Sequence, residues 1–295
     1  MITVTTPNGR TGSHVVRMLL ERGETVRLVS QTPDKLPAAV RDACEVISGS
    51  LDDVDTLKRG FAGAESVFWC IPQTRPGSCW DDAHAYHQKF ARAASTALTG
   101  SSTRVVAISA GRHGYNDDAI VAAFAAVEDT LNASGAPLRH LRCAFFMENL
   151  LASLPTIINP GAVFLNAPGD VPLPMVSIAD AAAKAVDCLT DRSWQGQGHI
   201  AVHGPAHVSF NEMAAVLSAV LEKPVGYVQV PDEVLMENLQ RVGMTVGFVR
   251  AYARLLTREA LLAYDMEPRT AETTTPTTLR AWATAALLPA LSGRA

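Results

Sequence analysis

Residues 2–18 read ITVTTPNGRTGSHVVRM. A short apolar strand, Ile2 to Val4, runs into a glycine-bearing turn, and an amphipathic helix follows from Ser13 to Arg22. Backbone N–H groups at a helix N-terminus lack partners within the helix, and the helix dipole favours negative charge there. The arrangement therefore suits a pyrophosphate. Gly9 and Gly12 sit three residues apart. One lets the backbone approach phosphates, and the other lets the helix pack closely on the strand. Thr6 stands where a G-x-x-G-x-x-G pattern has its first glycine. The expected cofactor contacts are Thr6, Asn8, Gly9, Arg10, Thr11 and Gly12, against the plainer alternative of a structural strand-to-helix turn.

Working outward, strand-like and helix-like segments alternate through the first half. Strands are expected at Thr25–Val29, Cys44–Ile47, Ser66–Ile71, Thr103–Ile108 and Leu138–Arg142, and helices at Asp53–Phe61, Asp81–Leu98 and Asp118–Ser134. That rhythm implies right-handed βαβ units and a parallel sheet buried on both faces. The fold class is α/β, a doubly wound parallel sheet of Rossmann type over residues 1–150. The rhythm fades beyond Leu150. A Pro-rich stretch leads to a helix at Ser177–Thr190, a strand at His199–His203, a helix at Asn211–Leu221 and a strand at Val225–Val230. Asp232 to Tyr264 reads as almost wholly helical. Residues 151–295 are expected to form a smaller, mainly helical substrate lobe, part of it returning to the sheet.

Bulk composition narrows the function classes. The 295 residues are 48% hydrophobic, enough for a large core. A net charge of −4 and a pI near 6.1, with no basic run, argue against nucleic acid as a partner. Five scattered cysteines (Cys44, Cys70, Cys79, Cys143, Cys188) suit reduced thiols better than a disulfide framework. No leader pattern opens the sequence, and no apolar run approaches the roughly 20 residues that span a bilayer. A cytoplasmic protein without membrane partners is expected, as monomer or homodimer.

Several further segments carry a family resemblance. Gly49-Ser50-Leu51-Asp52-Asp53 resembles a Gly-Asp-Leu-x-Asp stretch, and Phe145-Phe146-Met147-Glu148-Asn149-Leu150 resembles a Phe-x-Glu-Asn motif after the sixth strand. Val176-Ser177-Ile178-Ala179-Asp180 and His203-Gly204-Pro205 match two more. Together with the N-terminal turn, the chain resembles the NmrA-like branch of the atypical short-chain dehydrogenases/reductases nearly end to end. The resemblance implies an NAD(P)-binding protein, with Leu51 and Asp52 beside the adenine. It also raises a regulatory role, because some members sense the redox state of the cofactor.

The tip of the second strand sets which cofactor is accepted. An acidic residue there bonds the ribose 2′-hydroxyl of NAD, and an Arg pairs the 2′-phosphate of NADP. This chain offers Ser30-Gln31-Thr32, with Gln31 where the family commonly has Arg. No carboxylate stands at the tip, and Arg10 and Lys35 lie in neighbouring turns, which favours NADP(H) over NAD(H). The alternative is that Thr6 and Gln31 record a lost cofactor site. Cys70-Ile71-Pro72, closing the fourth strand, is expected against the ribose or nicotinamide.

Catalytic residues are less plainly marked. Short-chain reductases use Tyr-x-x-x-Lys, but four residues after Tyr115 stands Ala119, and Ile120 to Leu131 contains no Lys. The substitutes are Ser109 to orient a carbonyl and His113 or Tyr115 to donate a proton, histidine being suited to titration near neutrality. Phe146, Met147, Asn149, Met236 and Phe248 are expected to line the substrate pocket. Glu148 and Asn149 also read as polar groups that fix the backbone. His84-x-x-His87 and His199, His203 and His207 lack the fuller ligand set zinc wants, so no metal is expected. The leading function is NAD(P)H-dependent reduction of a small, fairly apolar carbonyl, enone or quinone. The alternatives are an NADP(H)-sensing regulator and a cofactor-independent tailoring enzyme (an isomerase or cyclase) on the same cleft.

Overall fold

The computed structural model describes residues 1–72, 80–115 and 119–292. Cys79 and the expected helix start at Asp118 lie outside the described residues. The first half alternates as β1 (Ile2–Thr5), α1 (Arg10–Glu21), β2 (Val26–Ser30), α2 (Ala38–Ala43), β3 (Glu45–Ser48) and α3 (Val54–Phe61). It continues through β4 (Ser66–Trp69), α4 (Ala83–Leu98), β5 (Arg104–Ala110), α5 (Ala119–Asn132) and β6 (Leu138–Cys143). α1 begins three residues earlier than its apolar pattern suggests, because Gly9 serves as N-cap and the polar residues Arg10 and Thr11 already wind into the first turn. Its inward face is Val15, Val16 and Leu19, all buried. α3 starts where Asp53 caps it, the carboxylate accepting from the backbone N–H of Asp55 and Thr56.

The second half carries β7 (Phe145–Phe146), α6 (Leu154–Ile158), β8 (Ala162–Leu165), β9 (Leu173–Val176), α7 (Ile178–Thr190), β10 (Gln197–Val202) and β11 (His207–Val208). α8 (Phe210–Leu221), β12 (Gly226–Gln229), α9 (Asp232–Arg241) and α10 (Val246–Arg254) follow. The single long helical run expected from Asp232 is broken into short helices. Gly243 takes a left-handed φ of 91° after α9, and Thr245 caps α10 afresh.

Seven parallel strands form the main sheet in the order β10-β6-β5-β4-β1-β2-β3. This is a Rossmann-like α/β fold. β10 pairs with β6, placing His199 beside His140 and Ala201 beside Arg142. Residues beyond 150 therefore supply a strand of the central sheet as well as the lobe. One core layer, including Val29, Leu57, Trp69, Ala94 and Leu131, fills the face under α3, α4 and α5. The other runs from Ile2 and Val4 through Val106 and Met175 to Phe210 and Trp282, joining both halves of the chain in one continuous core.

Candidate functional site at the carboxyl edge of the sheet

Strand order reverses between β1 and β4, the place where doubly wound sheets open a crevice at their strand C-termini. The β1–α1 turn sits there. Thr6 takes a left-handed φ of 48°, and its carbonyl accepts from Gly9 N at 2.8 Å. A Cβ on Gly12 would stand 2.2 Å from that carbonyl oxygen, and one on Gly9 3.1 Å. Only glycine at position 12 lets the turn fold back this tightly. Gly9 supplies no side-chain acceptor to the helix N-terminus, so the first-turn N–H groups face the crevice uncapped by a side chain. These residues fit a pyrophosphate. The Thr6 side chain is the departure: its buried hydroxyl has no conventional hydrogen-bond partner and lies against the Cys70 thiol.

The neighbouring strand tip is tied to the turn by side chains. Asn8 Nδ2 donates to Ser30 Oγ at 3.3 Å and to the Thr32 carbonyl at 3.1 Å. Gln31 Nε2 donates to Ser50 Oγ at 2.6 Å, and Ser50 donates onward to Asp52. Asp52 is held ionised below the usual carboxylate range, first by that hydroxyl and then by Lys89, 3.4 Å away. The tip carries no carboxylate of its own, yet one reaches it through Ser50. Leu51 is buried behind this loop. Arg10, expected to face the tip, instead lays its guanidinium on the Glu148 carbonyl at 3.3 Å.

β4 delivers Cys70, Ile71 and Pro72 beside the turn. Cys70 N–H donates to Thr5 Oγ1 at 2.9 Å, which staples β4 to β1. Burial pushes the Cys70 thiol up to about 11, so it is neutral and no nucleophile. The Pro72 carbonyl accepts from the Tyr86 hydroxyl at 2.9 Å.

Next along the edge, Ser109 points under α5. Its hydroxyl donates to Glu128 Oε1 at 2.6 Å, so its hydrogen is committed to that carboxylate and is not held out for a substrate carbonyl. Glu128 also accepts from Arg142 Nη2 at 2.7 Å, and His113 Nε2 stands 3.6 Å from its other oxygen. Arg142 reaches on to Glu267 at 2.9 Å. Burial pushes the Glu128 carboxyl up, but hydrogen bonds from Arg142 and Ser109 with nearby positive charge outweigh it, leaving it below its usual value. Sequence reading missed Glu128, Arg142 and Glu267. The signal was there in α5, AIVAAFAAVEDTLN, where Glu128 interrupts an apolar inward face. Tyr115 is half-buried, its N–H donating to the Arg112 carbonyl at 3.0 Å.

Of the expected pocket wall, Phe146 is partly buried and Asn149 exposed after β7, and Met236 packs partly buried from α9. Met147 departs from that wall: at 1% exposure it is a core residue and braces the wall from behind. Phe248 stacks on Tyr252 and meets Trp80 edge-on at 5.2 Å, closing the top of α4 and α5. Glu148 fixes backbone: its carboxylate accepts from Ile178 N–H at 3.0 Å, opening α7, and from Trp282 Nε1 at 3.0 Å. A depression of about 400 Å³ lies elsewhere, on the β10 edge between Lys184, His199 and Glu267. Among the described residues no cluster of three or more His, Cys, Asp or Glu could hold a metal ion, and no helix is long and apolar enough to cross a membrane.

A doubly wound α/β protein with its carboxyl-edge crevice opening on a glycine turn is the class that fold and site define. The chain belongs to the NmrA-like family, which it matches over residues 1–254. It is 31% identical over 231 residues to a (4-alkanoyl-5-oxo-2,5-dihydrofuran-3-yl)methyl phosphate reductase of Streptomyces griseus, covering 77% of this chain and 76% of that one. It is 27% identical to an NAD(P)H azoreductase of Xenophilus azovorans, over 86% of each. Among solved structures, the Escherichia coli NADPH-dependent quinone oxidoreductase complexed with NADPH superposes with a TM-score of 0.78 at 21% identity, covering 98% and 100% of the two chains. NmrA, a negative transcriptional regulator in complex with NADP, gives 0.75 at 19% identity, covering 99% and 97%.

Proposed function

We propose that this protein is an NADP(H)-dependent reductase of a small, fairly apolar carbonyl, enone or quinone. The observation that carries the reading is the turn in which the Gly12 Cα approaches the Thr6 carbonyl too closely for any side chain, beneath an uncapped helix N-terminus. Relatives named as reductases support it. In this reading the α1 N-terminus and Gly9 hold the pyrophosphate, and Ser30, Gln31 and Thr32 receive the adenosine ribose with Leu51 and Asp52 beside the adenine. Lys35 supplies positive charge that favours a 2′-phosphate, and Arg10 adds to it on leaving the Glu148 carbonyl for the cofactor. Cys70, Ile71 and Pro72 present backbone to the ribose and nicotinamide. The bound cofactor supplies a hydride. The chain contributes orientation, an apolar wall from Phe146, Phe248 and Met236, and a proton from His113 or Tyr115.

Titration with NADPH and NADH, followed by nicotinamide fluorescence, tests the first half, with tighter binding of NADPH expected. Arg10→Ala should weaken NADPH more than NADH, and an equal loss of both would reduce Arg10 to a general phosphate contact. Oxidation of NADPH in the presence of enones and quinones tests the second half. A regulatory reading is favoured by one observation, the lack of any Lys in α5. Tight binding with no acceptor reduced would select it, and no binding of either cofactor would remove both readings.

A further inference from the structure

We propose that Glu128 and His113 act as a carboxylate–imidazole dyad that delivers the proton of the reduction, with Ser109 fixing the carboxylate from its other oxygen. The inference rests on the reductase reading. Glu128 is a buried carboxylate, its side chain 3% exposed, and it is contacted from three elements. β5 sends the Ser109 hydroxyl to Oε1 at 2.6 Å, a length typical of a hydroxyl bonded to a charged oxygen. β6 sends Arg142, and the loop after β5 sends His113 Nε2 to 3.6 Å from Oε2. That last distance is an ion-pair contact rather than a hydrogen bond.

Charge balance singles out His113. Arg142 serves two carboxylates, Glu128 at 2.7 Å and Glu267 at 2.9 Å, so the cluster holds one fixed cation against two anions. The other groups facing it are His140 on β6 and His199 on β10. Burial keeps His140 below its ordinary range. His199 stands 3.9 Å from Glu267, on the side away from Ser109. His113 is the histidine whose ring nitrogen stands against Glu128, 3.6 Å from Oε2.

With Nε2 set toward Glu128 in this ion-pair contact, Nδ1–H is the ring proton left for the acceptor. The Nδ1–H bond breaks as an O–H bond forms on the acceptor oxygen, while the acceptor carbon receives hydride from the reduced nicotinamide. His113, its side chain 32% exposed, then regains a proton from solvent. Glu128 stays ionised throughout, so it is a positioning residue and His113 the catalytic one.

The test is a double-mutant cycle of Glu128→Gln and His113→Ala, read as NADPH oxidation with an enone acceptor. His113→Ala should cost about 10²-fold in kcat, and Glu128→Gln about 10-fold, with NADPH affinity unchanged in both. The double variant should be no slower than His113→Ala alone. Multiplying losses, or a Glu128→Gln enzyme with wild-type turnover, would overturn the dyad. Nitrogen NMR of the cofactor-free wild type gives a readout independent of turnover. Neutral His113 should carry its proton on Nε2, and an Nδ1–H tautomer would overturn the proposal even if the enzyme reduces enones. A wild type that shows the Nε2–H tautomer but reduces no acceptor would instead remove the reductase reading and the proton delivery built on it.

Discussion

Two regions of the carboxyl edge are built by opposite means. The β1–α1 turn is made of backbone: Thr6 carbonyl, Gly9 N–H and the bare Cα of Gly12, all within seven residues. The Ser109–Glu128–Arg142–Glu267 cluster is made of side chains from β5, α5, β6 and the segment after α10, spread across the chain. The first fails when a side chain is added, and the second when one is taken away. A backbone site announces itself through glycine spacing, whereas a side-chain cluster becomes visible only when the sheet brings its members together.

The largest expected effect lies in the cluster. Arg142→Met removes the guanidinium bonded to both Glu128 and Glu267, leaving the buried Glu128 carboxylate with the Ser109 hydroxyl and the more distant His113. Breaking a buried ion pair from one side costs about 3–5 kcal/mol. Urea denaturation should show that loss. A change within experimental error would mean that the cluster is solvated and the contrast between the two regions fails. In the turn, Gly12→Ala places a methyl 2.2 Å from the Thr6 oxygen, backbone that cannot swing aside. Overpacking of this kind costs about 1–3 kcal/mol, and NADPH fluorescence enhancement should vanish with it. A stable Gly12→Ala protein that binds NADPH normally would show that the close approach is not needed.

The difference also explains what the sequence could and could not disclose. The order of β1 to β6, the fold class and the glycine turn were readable because each rests on local periodicity or on one residue type at one position. Strands β7, β8 and β9 were not readable: β7 has two residues, and β8 and β9 lie in a Pro-rich stretch without alternation. Met147 reads as a pocket residue from its motif, but β7 turns it into the core. Glu128 gains its partners only because the register of β5 on β6 sets Ser109 beside Arg142.

Acid separates the buried Glu128 carboxylate from the half-buried Glu148 carboxylate. Glu128 is depressed in the folded state, so the stability it contributes is present above the unfolded carboxylate pKa and is lost as pH falls through its folded value. Glu148 runs the other way. Burial raises its carboxyl despite hydrogen bonds from the backbone and Trp282, so its ionised form costs stability at neutral pH and protonation relieves that cost. A tenfold difference in proton affinity between the folded and unfolded chain corresponds to about 1.4 kcal/mol. Melting across the acid range should therefore show Glu128→Gln less stable than wild type at neutral pH, the gap closing as pH falls. Glu148→Gln should be no less stable at neutral pH, with any gain disappearing in acid. Parallel curves for the two variants would mean that the carboxylates are in equivalent surroundings.

The smallest effect concerns the Thr6 side chain at the start of the turn. Thr6 holds a left-handed φ of 48° with a β-branched side chain and a buried hydroxyl that lacks a conventional partner. That conformation costs about 1–2 kcal/mol for an L-residue. Glycine removes the cost but gives back about 0.4–1 kcal/mol through greater freedom in the unfolded chain. Thr6→Gly should then stabilise by about 0.5–1 kcal/mol, raising Tm by about 1–3 °C in a chain of this size. It should also open the turn to the phosphates and tighten NADPH binding. A fall in Tm would show that the hydroxyl is bonded to the Cys70 thiol after all. The turn would then depend on a side chain, as the cluster does.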